Sequence, residues 1–210
     1  SLFPLIENIE IRLRCSISNY FSTVYGNLGY ENPDNFINSN YHAEFIKDLN
    51  FEISRNKKSP YISNFKNYYK DGKIPFYAAI ELFSFGMLSK FYSNLKSNDK
   101  KAIAKIGFNV GYTYLQSWVE SISFVRNICA HYGRLYNIKL SKQPILYDQY
   151  SAISNYRIFA VIICIKILVD DKMIWQIFAD ELTSLIDLYA KSINLDYIGF
   201  PGDWDKLLKE

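Results

Sequence analysis

The sequence predicts an all-α fold. Apolar residues recur at three- and four-residue intervals along most of the chain, and no convincing alternating apolar–polar run marks a strand. Hydrophobic residues make up 49% and aromatics 17%, enough for a packed core and too much for a globally disordered chain. The 210 residues suit one sizeable domain, spanning residues 1–210.

The elements follow from the periodicity. Leu2, Ile6, Ile9, Leu13, Ile17, Phe21 and Val24 form the apolar stripe of a first helix that ends at Gly26. Residues 27–40 are rich in Asn, Gly and Asp, with Pro33, and read as a loop. Helical spacing resumes over about 41–55 and again over 62–69. Pro75, tolerated in a first helical turn, opens a strong helix over 75–95. Asn98 and Asp99 cap a short helix through Ile106, and a long helix runs over about 112–135. Past a loop around 142–144, two further helices cover about 150–169 and 172–192. Gly199, Phe200, Pro201 and Trp204 make a terminal turn with aromatic anchors.

Composition narrows the chemistry. A net charge of +3 fits a protein that meets an anion at one place and is too small for a polybasic binder. Cys15, Cys129 and Cys164 are odd in number and scattered, which argues against a disulfide framework and for a reducing cytoplasm. The longest apolar run, residues 158–169, is too short for a bilayer and reads as a buried helix. The chain starts at Ser1, inside an amphipathic pattern and without an initiator Met, so N-terminal sequence is expected to be missing.

Residues 126–137, Arg-Asn-Ile-Cys-Ala-His-Tyr-Gly-Arg-Leu-Tyr-Asn, place an arginine, an amide and one of two histidines on the long helix. Arginine grips phosphate, and histidine moves protons near neutral pH. At about 100° per residue, Leu115, Trp118, Val119, Ile122, Val125 and Cys129 share the core face. Thr113, Gln116, Glu120, Ser123, Asn127, His131 and Arg134 share the opposite one. Asn127 and His131 are one turn apart, so the amide can hydrogen-bond the imidazole. Arg126 is offset from His131 by roughly 140°. It must wrap around the helix or serve a site built partly by another subunit. The bare spacing is a weak signal, since a polar stripe is usually a solvated face.

The surrounding residues carry more weight. The segment 126–137 resembles the hallmark of the Abi-like family, the AbiD and AbiF abortive-infection proteins of bacteria. Residues 75–92, with Glu81, Ser84-Phe85-Gly86, Ser89 and Tyr92, are similar to another block of that family. Asp99-Lys100-Lys101, Ser117-Trp118, and Gly199-Phe200-Pro201 before Trp204 fit as well. The resemblance covers most of the chain from Leu5 onward. It implies a HEPN-type helical bundle with additional helices, whose arginine–histidine motif is a metal-independent ribonuclease centre shared by two subunits.

Under that resemblance Arg126 and His131 are catalytic and Asn127 supports them. Many relatives carry a second histidine where Tyr132 stands, so His131 alone inherits the role. Arg134, Tyr132, Tyr136 and Asn137 are expected RNA contacts, the aromatics stacking on unpaired bases. Expected partners are RNA, as substrate and as a small noncoding RNA, a second copy of the chain, and an antitoxin. No cofactor, metal, membrane or DNA is expected. Relatives usually carry a segment ahead of the region matching Leu5, a further reason to expect missing N-terminal sequence.

The remaining candidates read differently. His42 is expected at the surface. Glu81, set in an apolar stretch, needs a partner, with Arg126 or Arg134 the natural one; Glu120 is a second candidate for a structural ion pair with either arginine. Tyr68, Tyr69 and Lys70 mix aromatic and basic character weakly. Ser84 and Ser89 lack a histidine in triad register. Two histidines and three scattered cysteines make no ordinary zinc site, and Gly107 and Gly111 match no phosphate-loop spacing. Two functions stand open: an RNA-cleaving abortive-infection toxin, and a catalytically idle module that binds RNA or a partner protein.

Overall fold

The computed structural model describes residues 1–68 and 72–209. They are helical, as predicted; among them extended pairing is confined to one bridge between Phe36 and Leu95. No described helix is long and apolar enough to cross a membrane. The residues fall into two compact units, one of residues 12–112 and one of residues 1–11 with 113 onward. Helix α1 (Phe3–Tyr25) contributes to both. Ile6, Ile9, Leu13, Ile17 and Phe21 of its predicted stripe are buried, and Gly26 stops it at a positive φ of 74°, open to glycine at little cost.

In the unit of residues 12–112, α2 (Ser39–Arg55) and α3 (Pro60–Tyr68) follow α1. The loop before α2 contains two short 3-10 turns, Gly29–Glu31 and Pro33–Asn35, and Asn38 caps α2 by accepting from the amides of Asn40 and Tyr41. The predicted helix over 75–95 is broken. It consists of α4 (Phe76–Ala79), a 3-10 turn at Ile80–Leu82, and α5 (Phe85–Asn94).

Phe83 is extended at the break, and Ser84 caps α5 through its hydroxyl, 3.3 Å from the Met87 amide. Arg14 donates to the carbonyls of Ile80 and Phe83 and so holds the break from α1, while the Ile80 carbonyl also accepts from the Phe83 amide at 3.1 Å. The fold-back lets Phe76 stack on Phe91, ring centroids 5.2 Å apart, in a cluster with Phe21, Phe36 and Phe83. Aromatic packing outweighs local helical continuity here.

Two further expectations are corrected in this unit. His42 is buried, not a surface residue: its ring lies 4.7 Å from that of Phe36, and its Nε2 donates to the Tyr30 carbonyl at 2.9 Å. Helix α6 (Ser97–Phe108) begins ahead of Asn98, so Asp99 is an inner-turn residue and not a cap. Its carboxylate is buried and accepts from the hydroxyls of Tyr20 at 3.0 Å and Tyr25 at 2.8 Å. Tyr69 and Lys70, considered above with Tyr68, lie outside the described residues.

The other unit is built on α7 (Tyr112–Ala130) and α8 (Ile158–Leu168). The apolar run predicted to be buried is buried over Ile158 to Ile165 and at Leu168. Helix α8 starts later than position 150, because Arg157 is extended and only a 3-10 turn, Asp148–Tyr150, precedes it. Helix α9 (Lys172–Leu188) is capped by Asp171, and α10 (Trp204–Lys209) closes the chain. The terminal aromatics anchor as predicted: Phe200 is buried against Phe159, centroids 4.4 Å apart, and Trp204 packs edge-on to Phe200.

Candidate functional site

The candidate site is the end of α7. Leu115, Trp118, Val119, Ile122 and Val125 are buried as the helical period requires, while Cys129 is half-buried, its thiol pKa raised by that burial. Trp118 is pinned by its indole N–H, which donates to the Ile145 carbonyl at 2.6 Å. Ser123 departs from the polar face assigned to it and is buried. Thr113, Glu120, Asn127, His131 and Arg134 are exposed.

Helix α7 stops at Ala130 and does not run on to 135. The Gly133 amide donates to the Ile128 carbonyl at 2.7 Å and the Tyr132 amide to Cys129 at 3.1 Å, the paired bonds of a Schellman closure. Tyr132 occupies the left-handed position, φ 55°, where glycine is usual, and is 99% exposed. Gly133 must be small: a Cβ there would lie 2.7 Å from Ile128 Cγ2 and 3.0 Å from its carbonyl oxygen.

His131 is therefore the C-cap residue of the helix. Its amide still donates to the Asn127 carbonyl at 3.1 Å, so the two residues remain one turn apart, both exposed. That link is made by the backbone; no Asn127 side-chain bond to the imidazole occurs.

Arg126 is held elsewhere. Its Nε lies 4.0 Å from the Glu10 carboxylate, and its guanidinium carbon sits 6.0 Å from the centroid of the Phe3 ring. Glu10 and Phe3 are the site neighbours that sequence reasoning missed. Glu10 lies off the apolar stripe of α1, and nothing in its local sequence points to position 126.

The proposed ion pairs are corrected. Glu120 pairs with Lys142 at 2.6 Å, not with an arginine, because Lys142 lies on the loop that returns along α7. That loop is stitched there by Ser117 Oγ, which accepts from the Ile145 amide at 2.8 Å. Glu81 is exposed on its 3-10 turn, where water solvates it, and forms no ion pair among the described residues. Its charge helps raise the pKa of Tyr61, after burial of that hydroxyl.

The segment beyond the turn is anchored. Tyr136 Oη accepts from the Asn194 amide at 3.0 Å, and its ring meets Tyr197 edge-on at 6.0 Å. Asn137, at φ 59°, accepts from Arg157 Nη1 through its side chain at 3.1 Å. Among the described residues no three His, Cys, Asp or Glu come together as metal ligands.

A family model described as Abi-like protein matches residues 1–137, more than half of the chain and ending on the last residue of this motif. The chain belongs to the Abi-like protein family. Membership places it among the abortive-infection proteins, whose business is antiviral defence. No curated protein and no solved structure matches it. The matched span of this Abi-like protein contains every residue named above from Phe3 to Asn137, while Arg157 and the α8–α10 region lie outside it.

Proposed function

We propose that this Abi-like protein is a HEPN-type endoribonuclease that acts as an RNA-cleaving toxin in abortive infection. The observation that supports the reading is the C-cap turn of α7. It leaves His131 open to solvent, one helical turn from exposed Asn127 and three residues from exposed Arg134. A general acid or base needs such access to its substrate.

The RNA itself supplies the nucleophile. Its 2′-oxygen attacks the adjacent phosphorus and the bond to the 5′-oxygen breaks, giving a 2′,3′-cyclic phosphate and a 5′-hydroxyl. One imidazole takes the 2′-hydroxyl proton and another returns a proton to the leaving oxygen, so two His131 side chains are wanted. A twofold homodimer supplies them. Arg126, on a different face from its own His131, then neutralises transition-state charge in the composite site. Light scattering is expected to give twice the mass of one chain, and an active monomer would refute the shared site.

The decisive experiment follows labelled RNA in EDTA with wild type, His131→Ala and Arg126→Ala. Cleavage to cyclic-phosphate ends is expected in wild type, with losses of at least a hundredfold in His131→Ala, the scale of general acid–base catalysis (about 10²–10⁴). Equal rates in all three proteins would sink the assignment.

One observation favours a second reading, an idle module that binds RNA or a partner protein. Arg126 is already engaged by Glu10 and Phe3 within its own chain. Tight RNA binding without turnover by the chain as it occurs in cells would favour it.

A further inference from the structure

Charge is unevenly spread along the chain. Between Ser121 and Val169 lie six Lys or Arg and a single acid, Asp148, a net of +5 within a chain whose total is +3. The rest of the sequence therefore carries −2. Several of the six cations are committed: Arg126 to Glu10, Lys142 to Glu120, and Lys166 to the Leu207 carbonyl at 2.5 Å. Arg134 and Lys139 are exposed and enter no ion pair among the described residues.

Lys139 has a different neighbour. Its Nζ lies 5.8 Å from the centroid of the Tyr156 ring, and the Arg157 guanidinium carbon lies 5.5 Å from the same centroid. The ring is 39% exposed, so part of it stays open to solvent. The backbone around it is tied down: the Leu140 amide donates to the Tyr156 carbonyl at 2.8 Å, and Arg157 donates to Asn137 Oδ1 and the Ile138 carbonyl at 3.1 and 3.2 Å. Lys139 is eight residues beyond His131, so at most about 29 Å of chain separates them. A shallow polar depression lined by Ser151, Ser154 and Asn155 adjoins the tyrosine in sequence.

We infer that Tyr156, with Lys139 and Arg157, forms a binding subsite for unpaired RNA, the tyrosine ring stacking on a base and the cations meeting the flanking phosphates. Single-stranded nucleic acid is recognised by an aromatic face set in a cationic groove, and a partly exposed ring with two cations beside it offers both. The Ser154 hydrogen bond, with the charges of Arg157 and Lys139, lowers the pKa of the Tyr156 hydroxyl. The subsite rests on the ribonuclease reading only for its purpose, to hold a strand that passes His131; the binding itself stands apart from cleavage. It also lies outside the span that the family model matches, so it offers a place where one member's RNA preference is set.

The test measures fluorescence anisotropy of a labelled, unstructured oligouridine against the whole chain carrying His131→Ala, which separates binding from turnover. Tyr156→Ala is expected to weaken binding roughly 5- to 100-fold, the range for loss of one stacked base, with Tyr156→Phe close to the parent. Lys139→Ala is expected to lower affinity and to flatten its salt dependence by about 0.7 in the log–log slope. A duplex RNA of the same length should compete poorly.

No oligouridine binding by the parent, or equal affinity in a folded Tyr156→Ala protein, overturns the inference. So does tight capture of duplex in place of single strand. Cleavage that depends on His131 and ignores Tyr156 overturns the subsite and leaves the nuclease reading standing. Binding that depends on Tyr156 in a chain that never cleaves does the reverse.

Discussion

Arg126 reaches back to Glu10, its Nε 4.0 Å from the carboxylate, so the first residue of the hallmark segment is secured by the N-terminal helix. The two are far apart in sequence and largely sheltered, with side-chain exposures of 33% and 15%. The pair couples the seating of the first turns of α1 to the orientation of the arginine.

Glu10→Gln keeps the shape of the side chain and removes its charge. At this separation and exposure the pair contributes on the order of 1 kcal/mol, between a solvent-exposed bridge and a buried one. Urea unfolding should show a lower midpoint with an unchanged slope. An unmoved midpoint would mean the contact carries no stability.

The turn after α7 makes opposite predictions for neighbouring residues. Tyr132→Gly should stabilise the protein by about 0.5–1 kcal/mol, because it relieves a left-handed L-residue that buries nothing. Gly133→Ala should destabilise by roughly 1–3 kcal/mol, since its methyl would collide with Ile128 and force open the closure that presents His131. Thermal unfolding of both variants checks the pair; shifts of the same sign would contradict the geometry. RNA cleavage should fall in Gly133→Ala, which opens the turn that presents His131.

Alkaline pH should unfold the chain through its tyrosines. Burial and the hydrogen bond to Asp99 push Tyr25 from its ordinary 10.0 up to about 12, and burial with the nearby Glu31 charge takes Tyr30 to about 12 as well. On unfolding both return to the ordinary value, so above pH 10 the unfolded chain has released protons that the folded chain still holds. The stabilisation is complete below pH 10 and is lost as pH rises through about 12. Denaturant titrations across that window should show a falling midpoint, with a shallower fall in Tyr25→Phe. A flat profile would deny the raised values.

How much of this was legible beforehand differs from residue to residue. The all-α class, the stripe of α1 and the core face of α7 follow from spacing alone, because burying one helical face is a local, periodic demand on sequence, and the buried α8 follows from its apolar run. The hallmark segment was likewise legible as residue types in order.

Other features depended on partners that no local pattern names. The break between α4 and α5 is held by Phe76 stacking on Phe91 and by Arg14 donating to the Ile80 and Phe83 carbonyls, a long-range solution that overrides helical propensity. His42 is a core residue because the Tyr30 carbonyl arrives to accept a hydrogen bond from its ring, and the end of α7 is set by one glycine's fit against Ile128. The sequence determined which residues prefer a helix, which face seeks the core and which side chains have the functional groups to grip phosphate or move protons, since those are properties of single side chains and near neighbours. Only the tertiary structure decided that Arg126 belongs to Glu10, that Glu120 belongs to Lys142 and that Tyr156 lies beside Lys139 as well as Arg157. Pairing energies act across space between segments far apart in the chain, and many alternative partners of equal chemistry compete for each charge until packing chooses one.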